Sequence, residues 1–313
     1  MVTDLDKGSR HPSKPLWTAM LKRGTLSFDQ APGGGGSWRI SWGPTIPLDT
    51  KFAVKSRGLE LSELVRFNGR LYAVCDSTGL VFEVDLARQK VFQRWALADG
   101  DGFNQKPFKA EWATVKDGAL LIGSMGREWY SEDGTVVEHF NNQWVKSILP
   151  EGRIASTNWR PVYESLRTAT NTTMPGYLWH EAFEWDPRTR RWLILPRKAS
   201  EEEPYTEESD ETRGTNFLLL ASEDFSKLDV HRLGPLEPEW GFSAVRKVPG
   251  SDGVFLAVKV LEVRGRTQSR IALFDLSGPA GAPRMLLDPP LQSVGDGAES
   301  AVKYEGLEFL TDG

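Results

Sequence analysis

Apolar and polar residues alternate in short runs along most of the chain. Turn residues cut the runs at Asn68-Gly69, Asp76 to Gly79, Asp117-Gly118, Asp186-Pro187, Pro249-Gly250 with Asp252-Gly253, and Asp312-Gly313. Period-two alternation punctuated in this way predicts short strands joined by tight turns. Helical periodicity is confined to two stretches, Leu16 to Lys22 and Val162 to Ala169. The expected class is all-β.

Five phrases share one layout: LELSELVRFNGRLYAV (59–74), FKAEWATVKDGALLIG (108–123), LWHEAFEWDPRTRRWLIL (178–195), WGFSAVRKVPGSDGVFLAV (240–258) and VKYEGLEFLTDG (302–313). Each carries a Ser or Glu six residues before a turn position, at 62, 111, 181, 243 and 305. The intervals of 49, 70, 62 and 62 residues compare with about 63 for five equal units. A repeat of that length suits a four-stranded sheet, and repeated sheets close most simply as blades around an axis. The expectation is a single five-bladed β-propeller domain over residues 1–313, with N-terminal strands completing the last blade. Residues 141–176 and 199–216 read as excursions, the acidic second one as a solvated loop.

The recurrent oxygen-bearing residue gives the repeat a chemistry. Glu111 stands among Ala110, Trp112 and Ala113, where an unpaired buried carboxylate costs several kcal/mol or takes up a proton. If the recurrent residues lie on the strands nearest the axis, Ser62 or Glu63, Glu111, Glu181, Ser243 and Glu305 converge on one point. A ring of hydroxyl, carboxylate and carbonyl oxygens suits a hard cation, and Ca2+ better than Mg2+, which keeps more of its waters. Zinc is disfavoured: His11, His139, His180 and His231 fall in no ligand spacing, and Cys75 stands alone.

Composition narrows the partners. A net charge of -5 with no basic run argues against nucleic acid. A small phosphate ligand is compatible with the basic residues beside the phrases: Arg10, Arg57, Lys109, Arg127, Arg197, Lys198, Arg213, Lys259 and Lys303. No apolar run reaches the length of a membrane span, and Met1 to Asp4 show no signal region. One cysteine excludes an internal disulfide, and the sequon at Asn171 is a weak mark of secretion. Phosphate-loop, nucleophile-elbow and zinc-protease motifs are absent, and Gly33 to Gly36 read as a hairpin loop.

Eight segments, DLDKGSR, SRGLELSELVRFNGRLYAV, LADGDG, FKAEWATVKDGALLIGSMGREW, PGYLWHEAFEW, RRWLILPRKAS, GFSAVRKVP and VKYEGLEF, together resemble the calcium-activated nucleotidase (apyrase) family. The resemblance implies a five-bladed propeller with a central calcium that hydrolyses nucleoside di- and triphosphates to the monophosphate and phosphate. It places calcium ligands at Ser62, Glu63, Glu111, Glu181, Ser243 and Glu305, an essential acid at Asp6 and an essential base at Arg197. One departure stands out: where vertebrate members carry two Asp and an Arg before Thr-Gly, this chain has Cys75, Asp76, Ser77, Thr78 and Gly79. Asp6 or Asp76 is expected to activate water, and Arg197, with Arg10 or Lys109, to clamp phosphate oxygens; Trp112 or Trp129 is the candidate for base stacking. The family's habit implies a secreted or ER/Golgi lumenal protein, monomeric or weakly dimeric. The rival readings are a calcium-dependent propeller lactonase or esterase and a non-catalytic binding platform.

Overall fold

A computed structural model of the protein describes residues 1–30, 36–131, 136–278, 281–287, 289, 291–295 and 301–310. The expected turn at Asp312-Gly313 and Gly33 to Gly35 lie outside the described residues. A long hairpin comes first, β1 (Trp17–Gln30) and β2 (Gly36–Thr50). The first sheet follows: β3 (Leu61–Phe67), β4 (Arg70–Cys75), β5 (Leu80–Asp85) and β6 (Lys90–Ala96), hydrogen-bonded in that order. The second runs β7 (Trp112–Lys116), β8 (Ala119–Gly123), β11 (Trp144–Ile148) and β12 (Ile154–Asn158), with a small ribbon of β9 (Trp129–Tyr130) and β10 (Val137–His139) inserted after β8. Helix α1 (Arg160–Ala169) leads to the third sheet, β13 (Tyr177–Asp186), β14 (Arg191–Ser200), β15 (Phe217–Ser222) and β16 (Leu228–Arg232), with α2 (Glu207–Asp210) between β14 and β15. The fourth holds β17 (Trp240–Lys247), β18 (Val254–Val263) and β19 (Arg266–Asp275), with β20 (Arg284–Met285) and β21 (Leu291–Ser293) both on β19.

The tight turns follow their sequence. Asn68-Gly69 and Asp117-Gly118 adopt positive φ at both residues, 48° and 73°, then 49° and 78°, so two-residue turns join β3 to β4 and β7 to β8. Residues on alternate faces of each sheet enter different cores. On β4, Leu71 and Ala73 pack toward the β1–β2 hairpin, while Tyr72 and Val74 pack toward the second sheet. Similar apolar cores join the second sheet to the third through Trp112, Phe183 and Trp192, and the third to the fourth through Leu195, Phe242 and Phe274. A further core sets the fourth sheet against Met1, Tyr304, Leu307 and the hairpin's Trp38, Ile40 and Trp42. Sheets and hairpin thus follow one another around a ring, an all-β, propeller-like arrangement with β3, β7, β13 and β17 innermost.

Three expectations change. Among the described residues there are four sheets of four or more strands rather than five. In the remaining place stands the hairpin; the N-terminal segment bridges to it, Thr3 N–H donating to Met20 O (3.0 Å), and the C-terminal segment pairs in turn with the N-terminal one, Val2 N–H donating to Gly306 O (3.0 Å) and Glu305 N–H to Val2 O (2.9 Å). Leu16 to Lys22 is not helical: Trp17, Ala19 and Leu21 are buried and the residues between them are not, the period of a strand. The excursion at 141–176 supplies β11 and β12 to the second sheet, and only its remainder, α1 and the loop after it, stands apart.

Candidate functional site

Three of the four inner strands, β3, β13 and β17, break step beside the recurrent residue. On β3, Leu61 pairs with Cys75 and Glu63 with Val74, which leaves Ser62 as an extra residue; Glu181 on β13 and Ser243 on β17 are skipped in the same way. Glu111 precedes β7, its N–H donating to Gly123 O although Trp112 already faces that residue. A bulge re-aims one side chain without ending the strand, and here it takes Ser62, Glu181 and Ser243 out of their strands' alternation. All five of Ser62, Glu111, Glu181, Ser243 and Glu305 are at most 3% exposed.

Three of the five are tied by charge. Arg197 from β14 donates to both oxygens of Glu181 (2.7 Å each) and to Glu305 (3.1 Å), and its other amino group reaches Glu262 (2.8 Å). Lys109 bridges Asp76 (2.7 Å) and Glu111 (2.5 Å). Lys303 meets Asp4 (2.9 Å), Asp6 (2.7 Å), Glu262 (3.5 Å) and Glu305 (4.0 Å). Arg57 pairs with Glu60 and lies 3.5 Å from Asp6. Carboxylate oxygens of Asp4, Glu60 and Asp76 sit within 4.8 Å of one another. Ser243 joins through Tyr304, whose carbonyl accepts from its hydroxyl at 3.4 Å.

Charge does not balance in this group. Eight carboxylates (Asp4, Asp6, Glu60, Asp76, Glu111, Glu181, Glu262, Glu305) face the four cations Arg57, Lys109, Arg197 and Lys303. Burial pushes Glu111 up to about 8, with Lys109 pulling it down and Glu181 and Asp76 pushing it further up. Burial likewise raises Glu60 to about 7 and holds Glu305 well above the carboxylate range. Burial pulls Lys303 down, but Asp4, Glu305, Glu262 and Asp6 outweigh it and hold it well above the ordinary lysine value. Among the described residues, buried Ser62 Oγ and Asp76 Oδ1 have no hydrogen-bond partner. The donors are all hard oxygens, so the set fits a calcium ion that would make up missing positive charge.

Glu63 lies apart from this group. Its carboxylate accepts from Leu64 N–H and Leu307 N–H (2.9 and 3.1 Å) and lies 3.3 Å from Arg246. Arg246 also donates to the carbonyls of Leu64 and Ala113 and pairs with Glu184 (3.4 Å) and Glu308 (3.5 Å). One buried guanidinium therefore gathers β3, β7, β13, its own β17 and the C-terminal segment. In this lower layer Thr114, Glu184, Arg246 and Glu308 sit three residues after the recurrent position, and Glu63 one residue after Ser62. An upper layer sits two residues before it, as Glu60, Lys109, Trp179, Gly241 and Lys303 do.

Other expected positions fall differently. Trp112 is fully buried, stacks on Phe183 with centroids 4.3 Å apart and donates to Ser124 O, so it is closed to a base. Trp129 is half-buried against His139, with Lys106 Nζ 4.5 Å over its ring. Arg10 is exposed and takes no part in the ion pairs of the group among the described residues. Asp6, with φ of 47°, is held between Lys303 and Arg57. Sequence reasoning missed Asp4, Glu60, Glu262, Trp179 and Tyr205. Trp179 Nε1 donates to Glu181 (3.0 Å). Tyr205, from the acidic excursion expected to be only solvated, covers the buried Arg127 guanidinium at 3.6 Å, with Trp179 at 4.9 Å on it. Arg127 Nε has no hydrogen-bond partner among the described residues. Arg127, Trp129, Trp179 and Tyr205 thus form a cationic, aromatic cluster, joined to the carboxylate group through the Trp179–Glu181 hydrogen bond.

Residues 5–310 match the Apyrase family. The rat protein "Soluble calcium-activated nucleotidase 1" is 38% identical over 312 residues, 99% of this chain and 73% of its own length. "Apyrase" of Cimex lectularius is 36% identical, covering 99% and 81%. "Apyrase apy-1" of Caenorhabditis elegans is 35% identical, covering 99% and 83%. With nearly its whole length matched, the chain belongs to the Apyrase family.

Proposed function

We propose that the protein is a calcium-activated nucleotidase that hydrolyses nucleoside di- and triphosphates (the UDP, GDP, ADP and ATP class) to nucleoside monophosphate and phosphate. The carrying observation is the mouth of the inner strands, where buried cations alternate with an excess of buried carboxylates. The β1–β2 hairpin with the two terminal segments is taken as a fifth blade, so that residues 1–313 make one propeller domain. Ser62, Glu111, Glu181, Ser243 and Glu305 would hold calcium on its axis; Glu63 belongs with Arg246 instead. When bound there, calcium supplies a Lewis acid that draws charge from a phosphoryl oxygen.

The chain's own groups do the rest. Arg197, Lys109 and Lys303, fixed by their carboxylates, present preorganised positive charge to phosphate oxygens. Water attacks the terminal phosphorus in line, the bond from phosphorus to the leaving nucleotide's oxygen breaks, and the proton passes to a carboxylate. Asp76 Oδ1 is better placed for this than Asp6, whose two oxygens already face Lys303 and Arg57. The cleft of Arg127, Trp129, Trp179 and Tyr205 receives the nucleoside end. The site of action is outside the cell or within the secretory lumen.

Phosphate release from UDP, GDP, ADP and ATP is to be measured with calcium, with chelator and with magnesium. Release with calcium and its loss with chelator are expected; no release with calcium sinks the proposal. Calcium is also expected to raise the melting temperature, and Glu111→Gln to shrink that rise. An equal rise in the variant removes Glu111 from the metal site.

A further inference from the structure

The two sides of the proposed nucleoside cleft come from distant parts of the chain. Arg127 and Trp129 follow β8, Trp179 lies at the start of β13, and α1 stands between them in sequence. One residue of α1 touches both walls. Arg167, 4% exposed, donates from Nη1 to Glu128 Oε2 at 2.7 Å, from Nε to Thr172 O at 3.0 Å and from Nη2 to Gly176 O. Glu128 stands between Arg127 and Trp129; its carbonyl accepts from Arg127 (2.7 Å) and its other carboxylate oxygen from Tyr130 OH (3.0 Å). Gly176 precedes Tyr177, whose ring meets Tyr205 edge-on at 5.8 Å.

An enclosed ion pair returns little net stability compared with an apolar pair of the same volume; what three directed hydrogen bonds from one planar fork do supply is a single fixed spacing. We propose that Arg167 is a positioning residue that sets the width of the nucleoside cleft, locking the wall at 127–129 to the wall at 176–179 without touching substrate. The inference rests on the reading of that cleft as the nucleoside's place. It separates two effects. Loss of a merely structural residue lowers the folded fraction and so the apparent rate, whereas loss of cleft spacing weakens the hold on the nucleoside end and spares the chemistry at the phosphate end.

The test is the double variant Arg167→Met, Glu128→Gln, which removes both charges and leaves none buried alone, with Arg167→Lys beside it. KM for UDP, GDP and ADP is expected to rise about tenfold in the double variant with kcat within about twofold, and Arg167→Lys to fall between it and the parent. Unchanged KM, or a fall in kcat at constant KM, overturns the proposal. If the double variant does not fold, the KM of Arg167→Lys decides alone by the same criterion. Arg127→Met and Tyr205→Ala are measured in parallel. If these raise KM while the Arg167 variants do not, the positioning role fails and the cleft stands; if none raises KM, the cleft reading itself fails.

Discussion

Gly241 occupies the one upper-layer position on the inner strands that has no side chain, where its counterparts are Glu60, Lys109, Trp179 and Lys303. The reason is Arg197. A Cβ at Gly241 would sit 2.2 Å from the Arg197 carbonyl oxygen and 2.5 Å from its Cγ, so the glycine lets the arginine cross β17 to reach Glu181 and Glu305. Gly241→Ala must push that backbone or the side chain aside. Overpacking of this kind costs about 1–3 kcal/mol of stability. Because the displaced group is a proposed phosphate clamp, kcat/KM is expected to fall at least about tenfold while the protein still folds. Steady-state kinetics beside a melting curve check this, and an unaltered kcat/KM would separate Arg197 from the reaction.

At the scale of elements, the bulges explain which parts of the site could be read from sequence. The recurrent Ser or Glu was legible because it is a polar residue in an apolar strand at constant distance from a turn. The layer three residues on was not, because a regular strand sends positions 0 and +3 to opposite faces. The extra residue at Glu181 and Ser243 reverses that parity, bringing Glu184 and Arg246 back to the axis, while in the first sheet Glu63, one residue after the bulged Ser62, joins them. Glu63, expected with Ser62 among the recurrent oxygens, lies against Arg246 instead. Contacts made by excursions were equally hidden: nothing local in the acidic run 199–216 says that Tyr205 will cover Arg127. Linkages between elements also have a pH signature. Lys146 of β11 reaches across to Gly100 O in the loop before β7 and to Ser156 (2.9 Å), and burial brings it down to about 8 from 10.5 while Asp99 and Asp101 oppose the fall. Between those values the unfolded chain binds more protons at this residue than the folded one, so its contribution to stability grows as pH rises from 8 to 10.5. The stability of the parent minus that of Lys146→Met is thus expected to shift in the parent's favour by about 1–3 kcal/mol over that interval. Urea unfolding at both ends checks it; a difference independent of pH would place the lysine's titration at its ordinary value.

For the molecule as a whole, the ring is closed at the hairpin, and the closure is made by backbone pairing between the two ends of the chain. The C-terminal segment carries Glu305 of the recurrent ring and Glu308 of the lower layer, and β-type pairing holds it to Val2, Thr3 and Asp4. Val2 is itself fully buried, in the core the hairpin shares with the first sheet. Two substitutions separate its roles. Val2→Ala removes side-chain volume and is expected to cost about 1–2 kcal/mol. Val2→Pro also removes the N–H that donates to Gly306 O, and a proline where a central strand needs its donor costs roughly 3 kcal/mol or more. A fall of that size lowers the melting temperature by roughly 5–10 °C in a chain of this length. Because the pairing lost is the one that carries Glu305 to the axis, the stabilisation by calcium is expected to shrink in Val2→Pro and to persist in Val2→Ala. Equal calcium shifts in the two would mean that Glu305 is held in place by its own ion pairs with Arg197 and Lys303, and that closure of the ring and assembly of the site are separate events.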